Sequence, residues 1–277
     1  MAENPKPDLA ARLRAATSAF VQRHEVRARP LAKKVQDENW TVFAFGGVPR
    51  GLVQQGARYT PRDLDLVFSD HHFERFATCF DATIVRRTRF GGLHLLLNGL
   101  EIDAWPLSAT WAFREGLVAE VSFARLPATT FLNYDGIVIQ FATRRGQARV
   151  VHASGLEETM RRGALDIELL ANPFPALCVI RSLRLAAENQ LPLAPRLAQF
   201  CLNELSHRNP REFIAAQDAH YGWLSFDEAA LRRIRRRLEQ HLDQLPLFDF
   251  PLVRQSLLWE RGSPLLREEA RDSWEPS

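Results

Sequence analysis

Apolar and polar positions change their period along the chain, and the changes mark out elements. Leu9, Leu13, Ala16 and Phe20 recur at helical spacing and predict an amphipathic helix over 8–25, followed by a second over 30–38. The texture then turns strand-like. TVFAF (41–45) reads as a buried strand stopped by Gly46-Gly47, VPRGLVQQG (48–56) as a short helix, DLDLVF (63–68) as a second strand and HHFERFATCF (71–80) as a helix. HLLLNGLEIDAW (94–105) carries the clearest hairpin, because Asn98-Gly99 supplies the two central residues of a type I′ turn between apolar-rich runs. With that turn as its loop, Leu97 faces Leu100, Leu96 faces Glu101 and His94 faces Asp103. A further turn signal, Asp135-Gly136, joins TFLNY to IVIQF and predicts strands on both sides.

After His152 the strand-like runs stop. Helical patterns follow over 156–171, 172–190, 194–205 and 226–245. The pattern predicts N-terminal helices over 1–40, an α/β (α+β) head with a small mixed sheet over 41–152, and an all-α part over 153–277 ending in a frayed tail.

Composition narrows the class. The 277 residues are 46% hydrophobic and 25% charged, which excludes a disordered, collagen-like or coiled-coil protein. The formal net charge of +3 is compatible with a nucleic-acid partner without arguing for one. Cys79, Cys178 and Cys201 are too few and too widely spaced for a disulfide framework or a Cys-x-x-Cys metal site, so a reducing compartment is expected. The first twenty residues contain prolines and no signal-peptide core, and no run approaches the roughly 20 apolar residues of a membrane span. A soluble, cytoplasmic protein is the expectation.

The candidate chemistry is concentrated in FAFGGVPRGLVQQGARYTPRDLDLVF (43–68). Gly46 and Gly47 lack Cβ atoms, so backbone N–H groups there can approach a ligand, and the positive end of the following helix favours phosphate. The segment has neither the GK[ST] of a P-loop nor the spacing of a dinucleotide fingerprint. Asp63 and Asp65, two apart on a strand, project from one face while Leu64 and Leu66 face the other. Like charges so close repel, and a divalent cation between them relieves the repulsion. Magnesium suits carboxylate and phosphate oxygens. Asp103, on the second strand of the hairpin, offers a third carboxylate that would close a metal site with Asp63 and Asp65.

GGVPRG followed by RDLDLVF resembles the Gly-Gly…Arg…Asp-x-Asp signature of DNA polymerase β-like nucleotidyltransferases. It is closest to the head shared by tRNA nucleotidyltransferases (CCA-adding enzymes) and bacterial poly(A) polymerases. TFLNYDGIVIQF (130–141) resembles a later head segment, with Asn133 on the family's asparagine. CVIRSLRLAAENQLPLAP (178–195) resembles the neck helix, with Arg181 and Arg184 on its arginines. The resemblance covers about residues 41–205. It implies a nucleotidyltransferase head with a helical neck and body, and two Mg²⁺ ions held by Asp63 and Asp65. It also implies that Asp103 activates an acceptor hydroxyl, that Gly46 and Gly47 cradle the triphosphate and that Arg50 contacts phosphate. Asn133, Arg181 and Arg184 complete the implied nucleotide-binding set. The implied activity is transfer of a nucleoside monophosphate from a nucleoside triphosphate to a hydroxyl, with an RNA 3′ end favoured.

The sequence also departs from the family. Pro127-Ala128-Thr129 stands where the family carries Arg-Arg-Asp, and Phe174 to Cys178 where it carries Glu-Asp-x-x-Arg. Those motifs contact the sugar and select C and A, so an altered nucleotide choice is expected. A small-molecule adenylyltransferase of the antibiotic-modifying type, or an idle nucleotide- or RNA-binding regulator, are the alternatives. Arg232, Arg233, Arg236 and Arg237 offer a basic helix face to RNA, with Leu231, Ile234 and Leu238 packed inward. Arg86, Arg87 and Arg89 form a second basic group. His71, His72 and Glu74 lack further ligands at zinc spacing. Trp105, Trp111 and Phe113 are expected in the core.

Overall fold

The computed structural model describes residues 8–23, 27–88, 90–144, 146–241 and 255–256. Arg89, the end of the helix expected through 245 and the tail expected after 266 lie outside them. The chain divides into two compact units, one up to Glu158 and one from Thr159.

The first unit opens with helices α1 (Leu9–Arg23) and α2 (Arg29–Asp37). Strand β1 (Val42–Phe45) then leads into α3 (Gly47–Gln55), β2 (Asp63–Phe68) and α4 (Asp70–Cys79). Next come β3 (Ile84–Arg87), β4 (Leu93–Leu97), β5 (Leu100–Pro106) and a single turn, α5 (Trp111–Arg114). β6 (Val138–Gln140), β7 (Val151–His152) and α6 (Ser154–Arg162) close the series, with α6 crossing the division. Seven strands form one mixed sheet in the order β3-β4-β5-β2-β1-β6-β7. Only the central β2–β5 pairing is parallel.

The alternation of side chains explains how this sheet is covered. Val42, Ala44, Leu64, Leu66, Phe68, Ile102 and Ala104 share one face and are all buried. Phe68 stacks on Phe76 of α4 at 4.2 Å between ring centroids, and Trp40 meets both edge-on. Each such ring, fully buried, contributes about 1.5–3 kcal/mol. The opposite face carries Phe43, Val67 and Val138, packed with Leu107, Phe113 and Leu126 from the connection between β5 and β6. Phe113 is therefore core as expected, while Trp105 is partly buried against this cluster and Trp111 is half-buried.

The second unit is helical: α7 (Pro175–Asn189), α8 (Pro195–His207), α9 (Pro210–Tyr221) and α10 (Glu228–His241), with a short pair formed by β8 (Trp223–Leu224) and β9 (Gln255–Ser256). Proline opens α7, α8 and α9, where its missing N–H costs no helical bond. Asn209 and Glu212 close a reciprocal capping box on α9. Gln217, wholly buried, accepts from the Ser225 and Phe226 N–H groups and donates to the Phe213 and Phe226 carbonyls, tying the β8–α10 turn to α9.

Two expectations are corrected, and one strand is new. The segment 130–134 is not a strand. The Thr130 hydroxyl donates to the Pro127 and Leu132 carbonyls, and a 3₁₀ turn over Asn133–Asp135 replaces the expected hairpin. No helix runs over 163–171: α6 ends at Arg162, and Leu165 instead bridges to Leu193. The edge strand β3, with two arginines among its four residues, escaped the sequence reading.

Candidate active site

The parallel pairing of β2 with β5 builds the site. Its register sets Asp63 beside Glu101 and Asp65 beside Asp103. Parallel partners project from the same face, so all four carboxylates lie on the side of the sheet that carries Phe43 and Val67. The apolar cluster covers one end of that face and the carboxylates occupy the other. Asp63 and Asp65 are half-buried, and Asp103 is 42% exposed. This acidic row thus borders a core and is not simply a solvated strand.

The β4–β5 hairpin adds a histidine with the expected register. His94 faces Asp103, and its Nδ1 lies 2.8 Å from Asp103 Oδ1. That hydrogen bond raises the histidine pKa above its ordinary value, against the opposing effect of burial. Arg62, next to Asp63, pairs with Asp63 Oδ2 through Nη2 at 2.5 Å.

Gly46 joins β1 to α3 with φ +62° and ψ −114°, a backbone that side chains with Cβ disfavour. A Cβ placed there would lie 3.8 Å from Asp65 Oδ2, so the turn passes directly beside the carboxylate. The N-terminal N–H groups of α3, including that of Gly47, start from this point.

Arg50 lies one turn into α3 and faces the interior. It is ion-paired with Asp135 and lies over the Tyr134 ring, 5.5 Å from its centroid. Both partners come from the 3₁₀ turn that also contains Asn133, which is 3% exposed. Arg50 and Asn133 thus belong to one buried junction between α3 and this turn. Asp135 as the partner of Arg50 was not anticipated, nor was Tyr59. Tyr59 packs its ring against Gly51 and lies within electrostatic reach of Arg50, Asp63 and Asp65, with its hydroxyl pKa raised by burial. An aromatic residue four positions before Asp63 was the only available signal for it.

The chain matches no family model and no curated protein sequence. Solved structures do resemble it. A CCA-adding enzyme in complex with CTP superposes with a TM-score of 0.55 at 15% identity, covering 82% of this chain and 54% of that one. A tRNA nucleotidyltransferase complexed with a primer tRNA and an incoming ATP analogue gives 0.51 at 15% identity, over 79% and 64%. The Thermotoga maritima CCA-adding enzyme complexed with tRNA gives 0.50 at 13% identity, over 86% and 52%. The chain has the fold of the CCA-adding enzymes. It spans between 52% and 64% of the length of these three solved chains.

Within this fold, the donor set suits magnesium in kind: hard carboxylate oxygens on one face, beside a glycine turn that leaves room at Asp65. Among the described residues, no three His, Cys, Asp or Glu side chains are gathered closely enough to enclose a metal. Magnesium does not require such a cage, since it keeps several waters and completes its shell with one or two carboxylates and substrate phosphates.

Arg181 and Arg184 fall on α7 in the second unit. Arg184 lies over Tyr221, 4.1 Å from the ring centroid, and near Trp223 at 5.4 Å, and its Nε is 3.3 Å from Glu188. Arg181 is half-buried on the same helix. On α10, Leu231, Ile234 and Leu238 are buried, while Arg232, Arg233 and Arg236 are exposed. Arg232 pairs with Glu228 at 3.1 Å. His72 Nδ1 accepts the Thr41 N–H at 3.0 Å and lies 2.7 Å from Ser69 Oγ, so it ties α4 to β1. Among the described residues, no helix is long and apolar enough to cross a membrane.

Proposed function

We propose that the chain is a magnesium-dependent nucleotidyltransferase that moves a nucleoside monophosphate from a nucleoside triphosphate to a hydroxyl acceptor. The observation that carries this reading is the in-register placement of Asp65 beside Asp103, with Asp63 on the same face and the Gly46 turn against Asp65. In the reaction, the acceptor oxygen bonds to the α-phosphorus, the bond from that phosphorus to the β-phosphate oxygen breaks, and pyrophosphate leaves. The hydroxyl proton passes to Asp103, which His94 orients. Asp63 and Asp65 would hold the magnesium. When bound, the metal supplies charge neutralisation at the phosphates and acidifies the acceptor hydroxyl. Gly46 and Gly47 leave the phosphates access to the α3 N–H groups, whose dipole favours negative charge.

An RNA 3′ end is the favoured acceptor, because solved chains of this fold include complexes with CTP, an ATP analogue and tRNA. The Pro127-Ala128-Thr129 segment supplies no arginine or carboxylate to a sugar, which supports a nucleotide choice other than ordered C and A addition.

One observation favours a second reading. Arg50 is committed to Asp135 and turned inward, as expected of an idle nucleotide- or RNA-binding regulator. Label transfer from each α-labelled nucleoside triphosphate to RNA, with and without Asp63→Ala/Asp65→Ala, separates the two. The enzyme reading predicts transfer that needs Mg²⁺ and both aspartates. The regulator reading predicts nucleotide or RNA binding that survives the substitutions, with no transfer.

A further inference from the structure

A cavity of about 520 Å³ opens between α1 and α2 on the first unit. Helical spacing explains its walls: Ser18 and Gln22 lie one turn apart on α1, and Arg29, Lys33 and Gln36 follow at intervals of four and three on α2. The third wall is Arg149, just before β7 at the sheet edge. Val21 and Ala32 add apolar surface, and among the described residues no acid lines the cavity. In the sheet, β1 and β6 separate β7 from β2, so the cavity lies away from the carboxylates.

Arg149 is held in place. Its Nε donates to the Phe141 carbonyl at 3.3 Å, its Nη1 donates to the Ser18 hydroxyl, and its own carbonyl accepts from Arg14 Nε at 2.9 Å. Gln36 is likewise fixed, donating to the Thr143 carbonyl at 2.8 Å. Among the described residues, no carboxylate pairs with Arg149 or Lys33. A guanidinium remains charged at any ordinary pH, so its burial is a cost that a neutral hydroxyl and a carbonyl offset only in part. The resulting desolvation draws the Arg149 pKa below its ordinary value.

A fixed, desolvated guanidinium with an unpaired ammonium on the facing helix, and no acid among the described lining residues, matches a phosphate group. The concave shape and the volume, within the range of small-molecule pockets, favour a compact ligand over an extended polymer backbone. We propose that this cavity is a second ligand site that takes a small phosphorylated molecule, with the phosphate between Arg149 and Lys33 and the remainder against Gln22, Gln36 and the apolar wall.

Calorimetric titration of the full chain with inorganic pyrophosphate in EDTA tests this, using an Asp63→Asn/Asp65→Asn background to silence the carboxylate face. Saturable binding is expected, weakened about tenfold by Lys33→Gln and at least as much by Arg149→Gln, since each removes a charge-assisted contact. Lys33 is exposed and unpaired, so its variant keeps the fold even if Arg149→Gln does not. Absence of binding at millimolar pyrophosphate would overturn the proposal. So would unchanged affinity in Lys33→Gln.

Discussion

The Arg50–Asp135 pair shows how one side chain can carry two different readings. The sequence places Arg50 four residues after a glycine turn, where it would meet phosphate, but the fold draws it inward against Asp135 and Tyr134. Both charges are nearly buried, with side chains 13% and 7% exposed. Removing one member of such a pair leaves an uncompensated charge and costs about 3–5 kcal/mol. Arg50→Ala should therefore lower the midpoint of denaturant unfolding markedly. If the guanidinium served only to bind phosphate, the same variant would unfold normally and lose only nucleotide affinity. His94 is a different case, because its partner Asp103 is partly solvated. Its contribution is orientation more than stability.

At the scale of elements, burial sorts the three cysteines. Cys79 is exposed at the end of α4, whereas Cys178 on α7 and Cys201 on α8 are buried. A native protein treated with an alkylating reagent near pH 8 should therefore modify Cys79 alone, and all three thiols only after unfolding, as peptide mass mapping would show. Local elements were legible where short-range chemistry decides them. Asn98-Gly99 fixed the β4–β5 register from sequence, because both residues take the positive φ that a type I′ turn demands. The Asp63/Asp65 alternation was legible for the same reason. The parallel pairing that brings Asp65 beside Asp103 joins segments nearly forty residues apart, and no local pattern encodes it. Thr130 to Tyr134 was misread because its β-branched and aromatic residues suit a strand, while hydroxyl-to-carbonyl bonds fold it into a turn.

At the scale of the whole molecule, the buried thiols also set a pH response. Burial pushes the Cys178 pKa up to about 12 and that of Cys201 higher still. In the unfolded chain a thiol ionises near pH 8.5. From there upward the unfolded state sheds protons that the native state keeps, so this contribution is fully present at lower pH and lost as pH rises towards 12. The melting temperature should fall between pH 8 and pH 10, and fall less in Cys178→Ala. An equal fall in both proteins would show that other groups cause it.

The chain spans little more than half the length of the solved CCA-adding enzymes that it resembles, and it carries the acidic face with the glycine turn beside it. The account rests on that face being catalytic. Purified protein incubated with each α-labelled nucleoside triphosphate, Mg²⁺ and total RNA, alongside Asp63→Ala/Asp65→Ala, is the most direct test. Label on RNA from the native chain alone, abolished by EDTA, is the predicted result. Absence of transfer from every nucleotide to RNA or any co-purifying acceptor, with nucleotide binding unchanged by the substitutions, would contradict it.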